Sequence, residues 1–581
     1  MEVWPDNTEG TPAGELKYRF NWTFPVAMSP HDHNRIYGGS QYVHMTTDGG
    51  QSWKVISPDL TLNDKSKQGS SGGLTGDNIG PEYGDTLISI AESPKLAGVI
   101  WTGSNDGQVQ ITRNGGKTWT NVSANIPNLP PWGTIYTVEP SRYDAAKAYI
   151  TVDLHQEDNR DPFVYKTNDY GKTWTSLSAT LPRNALSYAH CIKEDPVRPG
   201  MLYLGTENSL YVSFDDGENW LPLQLNLPHV PVYGITVQEK FNDLVLATYG
   251  RGFWILDDVA ALRQMTPEVI DAEAHLFPPR PAYRFRGITP PMAVSYDATD
   301  GQNPQYGADI NYFLKSVPGV DVQLLVLDAS GKVVRSLRAT NAPGLNRVWW
   351  DLRYNPSSEI TLRMPPIYAS WMQVPEKGRT AGGRLALLAP PGAYRVKLNV
   401  GGHDYTQPLT VIKDPHSGGT EADIRAQFAF LESVQENLRH AGAVVDQIEN
   451  ARKQLESVSS AGENTGEVQI KAGAEDLDKK LVAIEENLYQ LRITGGQDGM
   501  RWPSRLIEKL GHLASELQDA DFAPTSQQIA VNQQFTQQIR DLQLQLNQVM
   551  SKNVAQFNEL LRKSNLPLIS MVAASHAEEA R

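Results

Sequence analysis

Four times between residues 46 and 220 the chain repeats one short pattern: a hydroxyl residue, an Asp or Asn, a Gly and a closing Trp. The copies are Thr46-Thr47-Asp48-Gly49-Gly50-Gln51-Ser52-Trp53, Thr112-Arg113-Asn114-Gly115-Gly116-Lys117-Thr118-Trp119, Thr167-Asn168-Asp169-Tyr170-Gly171-Lys172-Thr173-Trp174 and Ser213-Phe214-Asp215-Asp216-Gly217-Glu218-Asn219-Trp220. Each follows an apolar run with strand-like alternation and precedes another strand, which places it at a β-hairpin turn. The residue types suit that position. The Asp or Asn side chain accepts hydrogen bonds from the turn's own amides, the Gly supplies a positive φ, and the Trp packs back over the turn. One supersecondary unit recurring every 46 to 66 residues requires a repeat architecture, and the period suits four-stranded propeller blades.

At 581 residues the chain exceeds one core, and its length predicts about three or four domains. A formal net charge of −14 gives a nucleic-acid role no electrostatic support. The single cysteine, Cys191, excludes an internal disulfide framework, and its apolar context (Tyr188-Ala189-His190-Cys191-Ile192) predicts a buried thiol. No stretch approaches the ~18 apolar residues of a membrane span, and no basic-then-apolar leader opens the chain. Residues 1–260 divide into about five blade-sized units, each entered through a Pro-containing loop such as Ser93-Pro94 or Asp195-Pro196. Residues 261–305, rich in Pro, Arg and Gly, predict a linker. Residues 306–415 carry short strands with Gly turns and predict a β-sandwich. From 416 to 570, Ile424, Phe428, Leu431, Leu438, Val445, Ile448 and Leu455, and later Phe535, Ile539, Leu542, Leu546 and Val549, keep three- and four-residue steps. They predict an antiparallel bundle of three or four helices, with a loop at 457–468 and a tail at 571–581.

The four-fold pattern resembles the Asp box of bacterial neuraminidase-repeat (BNR) proteins, with Asn114 in place of Asp and Asn219 in place of Thr. The closing unit, Ala247-Thr248-Tyr249-Gly250-Arg251-Gly252-Phe253-Trp254, resembles that of bacterial sortilin (VPS10)-like "glycosyl hydrolase" BNR proteins. The segments around Gly331-Lys332-Val333-Val334-Arg335 and Pro390-Pro391-Gly392-Ala393-Tyr394 resemble the immunoglobulin-like domain of flagellar hook-capping proteins. The fold class implied is mainly β and multidomain: a partial Asp-box propeller, an Ig-like sandwich and a C-terminal helical bundle. The resemblance further implies a secreted, periplasmic or cell-surface protein that binds or hydrolyses polysaccharide, or a non-catalytic scaffold that captures a protein ligand in its channel. Relatives carry more blades, so the expectation includes a longer parent chain or a second chain that completes the ring.

Propeller ligands bind near the axis, where equivalent steps of successive units converge. Those steps carry Asp106, Asp153 and Glu207 as candidate catalytic carboxylates, with His155, Arg251, Tyr249 and Trp132 as candidate substrate-binding groups. Paired carboxylates serve glycoside hydrolysis, one as acid and the other as base or nucleophile. Each residue has a structural reading too. Asp106 suits a turn, Glu207 an amide cap, Arg251 a pair with Asp257 or Asp258, and Asp153 with His155 a surface pair. No cofactor is implied, and no His pair or Cys/His spacing suits a metal. Sialidase activity is disfavoured by the absence of an Arg-Ile-Pro segment.

Overall fold

The computed structural model describes residues 3–79, 82–285, 301–465, 467–495 and 497–570. The chain divides into two compact units between Met265 and Thr266.

The first unit is five antiparallel meander sheets in chain order, four of four strands and a last one of three. Their first strands are Val26–Met28, Leu87–Glu92, Thr134–Pro140, Ala189–Glu194 and Val232–Gln238. From the second sheet onward these first strands are neighbours in succession. The second strand of sheet three, Ala148–Leu154, is buried along its whole length because both its faces are covered. Ile150 and Val152 join the core shared with sheet two, around Trp101 and Ile135, while Tyr149 joins the core shared with sheet four, around Ile192 and Leu204. Two-sided burial is why these strands read as apolar runs rather than as a clean alternation. Separate cores likewise join sheets one and two, around Tyr37 and Leu87, and sheets four and five, around Tyr203 and Leu244.

The four hydroxyl–Asp/Asn–Gly turns fold as their chemistry predicts. In the fourth, Ser213 Oγ donates to Asp215 Oδ1 at 2.8 Å, Gly217 N donates to Ser213 Oγ at 2.9 Å, and Asn219 N donates to Asp215 Oδ1 at 2.9 Å. The Trp role differs from the expectation. Trp220 Nε1 donates to Leu177 O at 2.8 Å and Trp119 Nε1 to Ile56 O at 3.0 Å, each in the exit of the preceding sheet. In these two copies the closing Trp ties one sheet to the next, whereas the indole N–H groups of Trp53 and Trp174 have no hydrogen-bond partner among the described residues. Gly217 has φ +88°, and a Cβ there would lie 2.6 Å from Leu177 Cδ1. Gly217→Ala is expected to destabilise the first unit by about 2–4 kcal/mol, as strain and overpacking combine, read from its urea midpoint.

In the second unit a three-stranded sheet (Ala274–Leu276, Ala308–Leu314, Gly344–Trp350) and a five-stranded sheet (Ala282–Arg284, Val322–Leu327, Val333–Leu337, Gly392–Val400, His403–Lys413) share one core. Two of these strands lie inside the stretch read as a linker, so the unit begins well before residue 306. Residues 286–300 of that stretch, and the tail from 571, lie outside the described residues. The longer helices are Glu421–Thr465, Val468–Leu488, Leu506–Gln518, Ser526–Gln548 and Ala555–Lys563. The Gly/Ser-containing stretch expected as a loop at 457–468 is helical to Thr465. Val458 is buried there, and tertiary packing overrides the weak local propensity. Ile360, Leu362, Leu385 and Leu387, from the long excursion between sandwich strands, join the helical core, so sheets and helices form one body.

Candidate active site

A recurrent irregularity builds the site. In sheets two to five the first strand pairs with the second out of step by one residue, which leaves Ile88, Tyr136, His190 and Tyr233 as extra residues at equivalent bulges. A bulge re-aims a side chain. Because the strands are neighbours, three of the four side chains meet. His190 stacks on Tyr233 at 4.1 Å between centroids, Tyr136 lies 5.6 Å from His190, and Tyr136 lies 5.7 Å from Tyr233. The row continues through Tyr188, 5.2 Å from His190, to His155, stacked at 4.9 Å, and through Tyr233 to Tyr249 at 5.6 Å.

Two carboxylates flank the central imidazole. His190 is fully buried. Its Nε2 lies 2.8 Å from Glu207 Oε2, and its Nδ1 lies 3.9 Å from Asp153 Oδ2 without a hydrogen-bond partner. Asp153 Oδ1 accepts from His155 N at 2.9 Å and contacts His155 Nδ1 at 2.8 Å. The hydroxyls of Thr137 and Thr151 donate to His190 O at 3.1 and 2.8 Å and fix the bulge. Burial holds His190 below the ordinary histidine range, against the opposing pull of Glu207 and Asp153. At neutral pH the ring is uncharged, with one N–H and one lone pair. Burial and the charges of Glu207 and Asp153 push the Tyr233 hydroxyl up to about 12, so it stays a neutral hydrogen-bonding group. Among the described residues no three His, Cys, Asp or Glu side chains are grouped to hold a metal.

Of the residues read from sequence, Asp153, His155, Glu207 and Tyr249 come together here. Asp106, Trp132 and Arg251 do not. Asp106 is buried in the turn of sheet two and accepts from Ser104 Oγ and from Leu62 N at 2.7 Å. Among the described residues no hydrogen bond joins it to the cluster; its bond to Leu62 N fastens a loop. Trp132 sits in the loop before sheet three with Lys67 Nζ 5.6 Å over its ring. Arg251 is exposed at a hairpin tip, where its carbonyl accepts from Trp254 Nε1 at 3.2 Å, and its guanidinium forms no ion pair among the described residues. The sequence reading missed His190, Tyr136, Tyr188 and Tyr233. Their signal was present, since an aromatic ring opens the first strand of three successive units, but the bulge that turns those rings to one place has no sequence mark.

The opposite ends of the same strands line a cavity of about 360 Å³ that holds Glu92, Glu139, Glu194 and Glu239 with Arg142 and Lys193. Its acids are committed to structural bonds. Tyr37 and Tyr149 hydroxyls donate to Glu92 and Glu194 at 3.0 and 3.2 Å, Lys193 pairs with Glu139 at 2.9 Å, and Arg142 pairs with Glu239 at 2.6 Å.

No family model matches the chain. Over 332 residues it is 24% identical to the "Probable oligoxyloglucan-reducing end-specific xyloglucanase" of Neosartorya fischeri, an alignment covering 49% of this chain and 38% of that protein. The chain therefore spans less than half the length of that curated relative. Among solved structures it is similar to the GH74 xyloglucanase of Xanthomonas campestris, at 17% identity and TM-score 0.31 over 40% of this chain and 36% of that one. It is also similar to YCF48 of Cyanidioschyzon merolae, at 15% identity and TM-score 0.24 over 46% and 91%. The likeness to the curated xyloglucanase is thus a distant one, over about half of this chain.

Proposed function

We propose that this protein hydrolyses polysaccharide at the Asp153–His190–Glu207 site, on the axis of an Asp-box propeller of which the five sheets are blades. The observation that carries the reading is the convergence, from sheets three and four, of two carboxylates on either side of one neutral imidazole, beside a row of aromatic rings that continues onto sheet five. Glu207, bonded to His190 Nε2, is placed to protonate the departing glycosidic oxygen. Asp153, held by the amide and ring of His155, is placed to take the proton of an attacking water. Tyr249, exposed at one end of the row, offers a flat apolar face for a sugar ring. Distant homology to xyloglucanases supports a β-glucan-type substrate, and such a substrate places the protein outside the cytoplasm. Sheet five exposes Phe253 and Ile255 on the face away from sheet four. A further sheet, from a second chain, would pack there as the other sheets pack on one another.

A second reading is favoured by one detail. Both carboxylates already have imidazole partners, as in a site that holds a ligand without turning it over. Reducing-end release from xyloglucan and a panel of β-glucans separates the two. Release supports hydrolysis, whereas saturable binding with no release makes the protein a recognition scaffold.

A further inference from the structure

The second unit exposes aromatic rings where two of its loops meet. The excursion between sandwich strands passes through Tyr368 and Trp371, and the loop between the helices Val468–Leu488 and Leu506–Gln518 passes through Met500 and Trp502. Ile367 N donates to Leu491 O at 3.2 Å and joins the two loops. The rings of Tyr368 and Trp502 lie 5.6 Å apart at an angle of 54°, and the Arg492 guanidinium lies 5.2 Å from the centre of each. Trp371 is 80%, Met500 92% and Tyr368 56% exposed, while Trp502 is half-buried. The base beneath these side chains is pinned. Met364 N donates to Glu449 Oε2 at 2.7 Å, Arg379 Nη2 to Met364 O at 3.1 Å, and Gln490 Nε2 to Pro503 O at 3.0 Å. Ala369 and Leu491, next in sequence to Tyr368 and Arg492, are buried. A contiguous exposed apolar patch on a fixed base marks a contact surface, and rings already held in place lose little freedom on binding.

Charge selects the partner. The two cations beside the rings are matched by acids. Arg492 Nη2 lies 3.1 Å from Glu486 Oε1, and the Thr494 hydroxyl, with a smaller pull from Arg501, holds the Asp498 carboxylate below its ordinary range. Nucleic acid or an acidic lipid surface needs uncompensated cations, whereas this patch suits a neutral partner. A pyranose chain is neutral, lays apolar C–H faces on aromatic rings, and turns hydroxyls toward groups such as Glu486 and Arg492 that accept and donate. We infer that Tyr368, Trp371 and Trp502 form a docking platform for a neutral polysaccharide chain, which holds the polymer on the second unit and does no chemistry there. This rests on polysaccharide as the substrate class, not on the roles given to Asp153 and Glu207.

Affinity electrophoresis of the full chain through gels containing xyloglucan tests the platform. The Asp153→Asn/Glu207→Gln variant is the background, so that the polymer stays intact. Adding Trp371→Ala is expected to raise the apparent Kd by about tenfold, the scale of one aromatic anchor at a contact. Tyr368→Ala should act similarly, and Trp371→Phe should keep most of the retardation because a flat ring remains. Trp371 covers little of the fold, so the melting temperature of each Trp371 variant should match that of the background. Equal retardation of the background and Trp371→Ala proteins would overturn the inference. So would retention on phosphatidylcholine vesicles without retardation by xyloglucan. Reducing-end release by the wild-type protein is read separately. Release together with retardation that ignores Trp371 sinks the platform alone, whereas Trp371-dependent retardation without release supports the platform and sinks hydrolysis alone.

Discussion

Glu207→Gln is expected to lower polysaccharide hydrolysis by about 10²–10⁴-fold, the usual contribution of a positioned acid. The substitution preserves size, and the amide still bonds to His190 Nε2, so the stack of His190 on Tyr233 at 4.1 Å remains. What disappears is the proton. KM should change little and the melting temperature hardly at all, because Glu207 fastens no loop through its side chain. Asp153→Asn should cost a comparable factor through loss of the base, with a larger rise in KM as the bond to His155 Nδ1 weakens. Initial rates of reducing-end release over a range of substrate concentrations separate these effects. A Glu207→Gln protein with undiminished kcat would remove Glu207 from the chemistry.

The largest effect on stability is expected from Arg452→Met in the second unit. Arg452 lies on the helix Glu421–Thr465 and faces the helix Val468–Leu488. Its Nε bonds Asp478 Oδ1 and its Nη1 bonds Glu485 Oε2, both at 2.8 Å, with Glu449 Oε1 at 3.5 Å. Glu449 also accepts from the Arg363 and Met364 amides, which pins the sandwich excursion to the helices. Met fills the space of the side chain but leaves Glu449 and Glu485 buried without a cation, at a cost of about 3–5 kcal/mol near neutral pH. Burial and then the Glu449 charge already hold Glu485 well above the usual carboxylate range, and loss of Arg452 raises it further. A group raised in the folded state favours folding at low pH and loses that favour as pH rises through its folded value. The deficit of the variant should therefore be smallest near about pH 5 and grow toward about pH 8. Urea unfolding at both values checks this, and a deficit that is small or independent of pH would contradict it.

Local chemistry was the legible part of this chain. The hydroxyl–Asp–Gly turns are specified within eight residues, and their hydrogen bonds form as read. The helical stripe from Ile424 to Leu455 is buried as its spacing predicts, since period is a property of one element. Relations between elements were less legible. Trp119 and Trp220 look like partners of their own turns but bond the preceding sheet. Ile360 and Leu362 look like sandwich residues but complete the helical core. In the site, Asp153 and Glu207 stood out as acids at equivalent steps, whereas His190 lay inside an apolar run that drew attention to Cys191. Asp106 shared the step of Asp153 and Glu207 but not their neighbours.

The most direct test of the central claim compares wild-type protein with the Asp153→Asn/Glu207→Gln double variant, measuring oligoxyloglucan binding and reducing-end release on the same samples. The site described here predicts release by the wild type, none by the variant, and binding of similar strength in both. Release that persists in the double variant, or binding by both without release from either, would contradict it.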